Sequence, residues 1–589
     1  MPTFLHDYFS KLTEKQLVFC WLLFCFFALT YSLSEVPPYH TDENFYVESS
    51  RNMVESGDYL TPIYNHKKRF NKPILYYWLV SASYKIFGVS LASARLVSAF
   101  FGSLAIGFLY LIARRLFERR VAFYSIMILP ATFLHFQISR WATTDIVMSF
   151  FVLLALYFFV RSYQGNFEKI SDIYLFYVSM ALGFITKGPP AIIIPGVTAI
   201  IFLVATRRRR SLSLMRVGQG SLIFLLVSLP WFVTMYALHG DEFTNHIIGA
   251  EIKGRIGNKA PFSFYYLGVL FRYHLPWSLF FVVAVLHQFG IYSYSFPTVS
   301  GWSGYFRRLF SNMKSQIRIL FSGENESVLF CYIWILVCLV LFVLLRIEHS
   351  RYMLPAASAV TILIAKFFVD LEKLKNGFDC PGYKVPLILT SVVLVLGGLF
   401  SCVTLYALNL FYPIPPLYFL LPVVFFVVGV FILRLNKRSN YGKQVFAIST
   451  ALIFTLSFLS GDVLSHTNRY PMKLFSQIIL AEKFTGPIVV YNLGNNRARL
   501  GVLTGQKILK RYTPPHLAPF LNTDEEVWIV MREEAYRKDF LDSNLKILAE
   551  DIAWMQGRID WKGMIGLWEK AELSNLSTLT EKIYLLSTK

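Results

Sequence analysis

The side chains that could do chemistry gather in a few short stretches of this 589-residue chain. One reads His40-Thr41-Asp42-Glu43-Asn44-Phe45-Tyr46 and another Phe70-Asn71-Lys72-Pro73-Ile74-Leu75-Tyr76-Tyr77-Trp78. Three more are Arg140-Trp141-Ala142-Thr143-Thr144-Asp145, Thr186-Lys187-Gly188-Pro189-Pro190 and Glu348-His349-Ser350-Arg351-Tyr352, with Arg272 and His274-Leu275-Pro276-Trp277 between the last two. The carboxylates Asp42, Glu43 and Asp145 can move a proton or bind sugar hydroxyls. Lys72, Lys187 and Arg351 are counter-charges suited to a phosphate. Tyr76 and its aromatic neighbours offer faces for the apolar side of a sugar. Each stretch also has an ordinary structural reading. Asp42-Glu43 can open a helix, Thr144-Asp145 can sit at a helix N-terminus, Lys187-Gly188 can close a helix, and Tyr76-Tyr77-Trp78 can belong to an aromatic belt. His274 and His349 read as structural.

The elements that must position these groups are set by composition. Apolar residues make up 55% of the chain and charged ones only 16%, and mean hydropathy is +0.49. A soluble enzyme carries roughly 25% charged residues, so a simple soluble enzyme and a disordered chain are both excluded. About thirteen runs are apolar enough for a spanning helix of roughly 20 residues. They lie near 16–34, 91–113, 121–138, 144–160, 173–186, 188–206, 218–238, 266–292, 327–345, 352–370, 385–410, 415–434 and 445–463. After residue 463 the pattern changes to helix-like stretches alternating with short apolar strands at Ile488–Tyr491, Val527–Met531 and Ile583–Leu586. The expectation is a polytopic α-helical membrane domain over 1–463 and a small α/β domain over 464–589.

The net charge of +21 is a topology signal. Arg114, Arg115, Arg119, Arg120, Arg207 to Arg210, Arg307, Arg308, Lys314, Arg318, Arg434, Lys437, Arg438 and Lys443 all fall on one side if the N-terminus is cytoplasmic, as the positive-inside rule requires. No basic stripe interleaves with aromatics on a soluble module, so nucleic acid is not an expected partner. The chemically suited stretches then share the other face with the loops 35–90 and 239–265 and the C-terminal domain. Cys20, Cys25, Cys331, Cys338 and Cys402 fall in spans and Cys380 in a loop, which gives no disulfide framework.

These residues, in this order, resemble the GT-C glycosyltransferases of the protein O-mannosyltransferase superfamily, and most nearly the bacterial lipid A aminoarabinose transferases. The resemblance rests on Asp42-Glu43 through Ser50-Arg51-Asn52, Lys72-Pro73 with Tyr77-Trp78, Phe87-Gly88 with Ala94-Arg95-Leu96, Thr144-Asp145, Thr186-Lys187-Gly188, Ala260-Pro261-Phe262, Pro276-Trp277 and Leu354-Pro355. It implies a GT-C fold and a sugar donor on undecaprenyl or a similar polyprenyl phosphate. It also implies transfer with inversion at the periplasmic face of the bacterial inner membrane, to lipid A or another envelope acceptor among the membrane lipids and glycans. By similarity Asp42 is the main catalytic carboxylate, Asp145 a second functional acid, and Lys72 the holder of the lipid phosphate. Glu43 and Arg51 match the motif and stand as substrate-binding candidates beside Lys187, Arg351 and Tyr76.

Asn71 stands where many relatives have Glu before Lys-Pro, and Ile252 where some have His after the position of Glu251. Both positions could serve a metal in those relatives. No cofactor is therefore assigned, and a divalent metal stays open but disfavoured. Transfer to Ser or Thr of a protein is the nearest alternative. A lipid transporter or flippase predicts broken spans in repeated halves with midplane polar groups, a pattern that does not stand out in the sequence. A membrane scaffold leaves Asp42, Lys72 and Asp145 without a task.

Overall fold

The computed structural model describes residues 13–589 apart from 37, 39, 40, 66, 254–262, 290–301, 324, 375–380, 410–413, 436–440, 469, 494, 495, 512, 542, 556–559 and 570–572. His40, the Ala260-Pro261-Phe262 stretch, Cys380, Lys437 and Arg438 lie outside the described residues.

The helical part runs α1 (Glu14–Thr30), α2 (Thr41–Ser56), α3 (Leu75–Phe87), α4 (Leu91–Leu116), α5 (Arg119–Ile128), α6 (Phe133–Ile138), α7 (Thr144–Gln164), α8 (Ile170–Lys187), α9 (Pro190–Ala205) and α10 (Val217–Asn245). It continues with α11 (Tyr265–Arg272), α12 (Trp277–Gln288), α13 (Trp302–Leu320), α14 (Glu326–Leu345), α15 (Leu354–Glu372), α16 (Pro381–Asn409), α17 (Leu420–Leu435) and α18 (Tyr441–Phe458). Every one of the thirteen apolar runs becomes a helix or a helix pair. Among the described residues eight helices are long and apolar enough to cross a membrane, and the bent pair α11–α12 makes nine. The other four runs end as α1, α5 with α6, α9 and α17, which are shorter or interrupted. Prolines sit at two of the breaks, where a ring nitrogen cannot donate to the helical ladder. Pro130 sits in the one-turn break between α5 and α6, and Pro276 stands at the 115° bend between α11 and α12.

The stretch 35–90 is folded rather than an open loop. It holds α2, the hairpin β1 (Ile63–Tyr64) with β2 (Lys67–Lys68), and α3. Small residues let the long helices approach one another closely. A Cβ on Gly183 of α8 would stand 2.7 Å from Ala191 Cβ of α9 and 3.2 Å from Phe151 Cβ of α7.

The C-terminal part opens with α19 (Pro471–Ala481) and builds a five-stranded sheet from β3 (Ile488–Tyr491), β4 (Ile508–Arg511), β5 (Trp528–Arg532), β6 (Lys546–Trp554) and β7 (Thr580–Ser587) in the order β4-β3-β5-β7-β6. Strand β3 is parallel to β4 and β5, and β7 is antiparallel to β5 and β6. Parallel neighbours need a crossover, and α20 (Asn496–Thr504) supplies the one between β3 and β4. Alternate side chains of β3 point to opposite faces: Ile488 and Val490 meet Met472, Phe475 and Ile479 of α19, while Val489 and Tyr491 meet Leu517 and Phe540.

Candidate active site

Four charged residues from four separate elements meet at one end of the helical part. Asp42 lies in the first turn of α2, Asp145 in the first turn of α7, Lys187 closes α8, and Arg351 sits in the one-turn 3-10 helix Ser350–Met353 ahead of α15. Each helical member has the sign that its helix end favours, acids at N-termini and a base at a C-terminus. The structural readings of Thr144-Asp145 and Lys187-Gly188 are therefore right about the backbone. Gly188 stops α8 with φ of 106°, a left-handed value that glycine adopts without strain.

The four groups form a chain of ion pairs. Arg351 places Nη2 2.7 Å from Asp42 Oδ2 and Nε 3.6 Å from Asp145 Oδ1. Lys187 Nζ pairs with Asp145 Oδ1 and also lies 4.5 Å from the ring centroid of Tyr352, a cation–π contact. Exposure distinguishes them. The side chains of Asp145, Lys187 and Arg351 are 3%, 7% and 10% exposed, whereas that of Asp42 is 33% exposed. His349 adjoins the group, with its ring 5.2 Å from that of Tyr352. Desolvation, then the Arg351 charge, pushes its pKa below the usual imidazole value, which favours a neutral ring.

Glu43 is one residue from Asp42 but points elsewhere. It is fully buried and bidentate to Arg95 of α4, at 2.8 and 2.9 Å, and it accepts from the Ala142 amide at 2.9 Å. Arg95 also donates to Leu33 O and Val36 O at 2.7 and 2.6 Å. The pair ties the segment before α2 to the loop that leads into Asp145. Glu43 is thus held inside the helical part and does not join the four groups above. Tyr76 is placed likewise. It is fully buried, its hydroxyl lies 3.0 Å from Ser98 Oγ, and its ring packs 5.0 Å from that of Tyr46. Arg51 also lies apart from the four groups. Its guanidinium is spent on two carbonyls of the C-terminal domain, Gly501 O and Val502 O.

Lys72 is half-buried in the turn before α3, with Nζ 3.0 Å from Asn71 O. Three residues earlier Arg69 lies 3.7 Å over the Phe45 ring of α2, and its Nε is buried without a hydrogen-bond acceptor. Sequence reading passed over both Arg69 and the bracing role of Arg95. A cation inside the apolar α4 was the available signal for Arg95. Among the described residues, no three His, Cys, Asp or Glu side chains gather to hold a metal ion.

Residues 71–233 match the family model described as dolichyl-phosphate-mannose-protein mannosyltransferase. The full chain is similar to the crystal structure of ArnT from Cupriavidus metallidurans bound to undecaprenyl phosphate, with a TM-score of 0.71, 20% identity and coverage of 98% of this chain and 99% of that one. The chain has the GT-C fold. At the sequence level this GT-C chain is 28% identical over 359 residues to an uncharacterised protein of Aquifex aeolicus, covering 60% of this chain and 64% of the relative. It is 26% identical over 361 residues to the undecaprenyl phosphate-alpha-4-amino-4-deoxy-L-arabinose arabinosyl transferase of Aeromonas hydrophila, covering 60% of each. The matches thus span about three fifths of those relatives' own length.

Proposed function

We propose that the chain is an inverting glycosyltransferase that moves a sugar from a polyprenyl phosphate carrier, undecaprenyl phosphate first among them, to lipid A or another envelope acceptor. The observation that carries this reading is the ion-pair cluster of Asp42, Arg351, Asp145 and Lys187, in which Asp42 is the most exposed side chain. The acceptor oxygen attacks the anomeric carbon as the bond to the phosphate oxygen breaks, and the polyprenyl phosphate departs with the bonding electrons. For a hydroxyl acceptor Asp42 takes the proton. For a phosphate acceptor, already an anion, Asp42 positions the donor sugar or pairs with an amine on it. Lys72, with Arg69 in the same loop, offsets the charge growing on the leaving phosphate, an effect worth most where water is scarce.

The basic loops support a periplasmic site. Arg114 and Arg115 end α4, Arg119 and Arg120 open α5, and Arg207 to Arg210 follow α9. By helix direction these lie opposite the ends that hold Asp145 and Lys187, and Arg115 reaches Gln164 at the far end of α7. With those loops cytoplasmic, the N-terminus is cytoplasmic, and the Asp42 face and the C-terminal domain are periplasmic in the bacterial inner membrane. The family model matched by residues 71–233 favours a second reading, transfer to Ser or Thr of a protein.

Lipid A from cells with and without the active gene tests the reading by mass spectrometry. The expectation is a mass increment of one sugar with the wild-type gene. With Asp42→Asn in protein that still inserts, that product should fall by about 10²–10⁴-fold, the usual weight of a general base. Undiminished transfer by Asp42→Asn would remove Asp42 from the site. Unchanged lipid A with newly glycosylated proteins would move the acceptor to Ser or Thr.

A further inference from the structure

Helix α2 is held from both sides by the C-terminal part of the chain. Nine residues after Asp42, Arg51 lies buried at the seam between α2 and α20. Its Nη1 donates to Gly501 O at 2.8 Å and its Nη2 to Val502 O at 2.5 Å. These carbonyls belong to the last turn of α20, where four C=O groups lack a partner further along the helix and the helix dipole favours a cation. Gly505, at φ of +76°, turns the chain straight after α20, and its amide donates to the same Gly501 O at 2.9 Å. A Cβ there would stand 3.7 Å from Arg51 Nη1, in ordinary contact. Arg51 therefore acts as the C-terminal cap of a helix in another domain.

The other hold lies seven residues before Asp42. Lys473 of α19 donates to both Glu35 O and Glu35 Oε2, at 3.3 and 2.6 Å. Just upstream, Tyr31 donates to Asp462 at 2.6 Å. The segment that enters α2 and the third turn of α2 are thus both fixed to residues after 460.

We infer that Arg51 is a positioning residue for catalysis: by capping α20 it lets the C-terminal domain fix the angle of α2 and so the place of the Asp42 carboxylate against Arg351. This rests on the transferase reading and extends it. The domain thereby takes part in the reaction through α2. Displacing a reacting group by about 1 Å can cost on the order of 100-fold in rate, so a loosened α2 should be visible in turnover.

The test uses the full chain in lipid nanodiscs, with undecaprenyl phosphate-linked 4-amino-4-deoxy-L-arabinose as donor probe and lipid A as acceptor. Wild type is compared with Arg51→Ala and Arg51→Lys. Two quantities are read: initial rates, and hydrogen exchange of the amides in the first turns of α2. Arg51→Ala should lower kcat about 10- to 100-fold while the donor KM moves less than about twofold, and exchange near Asp42 should speed up. Arg51→Lys should recover part of both. If Arg51→Ala fails to insert, Arg51→Lys carries the same comparison with a smaller fall. Faster exchange with unchanged kcat overturns the inference, as does a fall in kcat with exchange near Asp42 unchanged. Wild-type protein that transfers nothing from this donor to lipid A or to protein sinks the transferase reading. Exchange then decides by itself whether Arg51 holds α2.

Discussion

Neighbouring carboxylates at the start of α2 show how one helical step divides tasks. Successive residues on a helix project about 100° apart, so Asp42 meets Arg351 at an open edge while Glu43 enters the core to meet Arg95. Removing the negative charge from each should then fail in different ways. Asp42→Asn keeps an inserted protein and loses turnover, as argued above. Glu43→Gln leaves Arg95 buried without its counter-charge, and breaking such a buried pair typically costs about 3–5 kcal/mol. The expected result is a marked fall in the thermal midpoint of detergent-solubilised protein, with turnover per folded molecule changed far less than by Asp42→Asn. A Glu43→Gln protein as stable as wild type, but without turnover, would return Glu43 to the reacting groups.

At the scale of elements, the site depends on how closely α7, α8 and α9 approach, because α7 and α8 carry Asp145 and Lys187 at adjacent ends. Gly183 sits one turn before Lys187 and leaves no room for a larger side chain against Ala191 and Phe151. Gly183→Val should cost about 1–3 kcal/mol through overpacking and should weaken turnover by displacing Lys187. Both are measurable as a lowered thermal midpoint and a lower kcat, and a fully stable, fully active Gly183→Val protein would refute the packing argument. Much of this layer was legible in the sequence. Apolar runs marked the helices, and four of the eight nominated site residues, Asp42, Asp145, Lys187 and Arg351, do meet. Arg51, Glu43 and Tyr76 lie apart from that group, because a residue's place in the sequence does not tell which way its side chain points. Strands β4 and β6 were missed for a different reason. β6 is largely exposed and carries Glu550 and Asp551, so it shows no apolar run, and β4 offers only Ile508 and Leu509 before two cations.

For the molecule as a whole, the seam between helices and sheet joins two kinds of contact. On one flank Trp554 and Met564 pack with Leu405, Leu408 and Val463 in an apolar cluster. On the other the domain is fixed by polar contacts, Arg51 to α20 and Glu35 to Lys473. Apolar packing is insensitive to pH, whereas the Glu35 contact titrates. The hydrogen bond from Lys473, and then its charge, hold Glu35 below the usual carboxylate range. A carboxylate depressed in the folded state stabilises at pH above its unfolded value of about 4.3, and that contribution disappears as pH falls through the folded value. Hydrogen exchange in the segment joining α1 to α2 should therefore be steady from pH 7 to pH 5, once corrected for intrinsic rates, and should rise on further acidification. Glu35→Gln should show the faster exchange already at pH 7, with no step of its own on acidification. Because the pair is partly exposed to solvent, salt should weaken it, so the difference between wild type and Glu35→Gln should shrink at high ionic strength. A wild-type profile that follows Glu35→Gln at every pH would mean that this contact does not hold the entrance to α2, and would leave Arg51 as the polar hold of the domain on that helix.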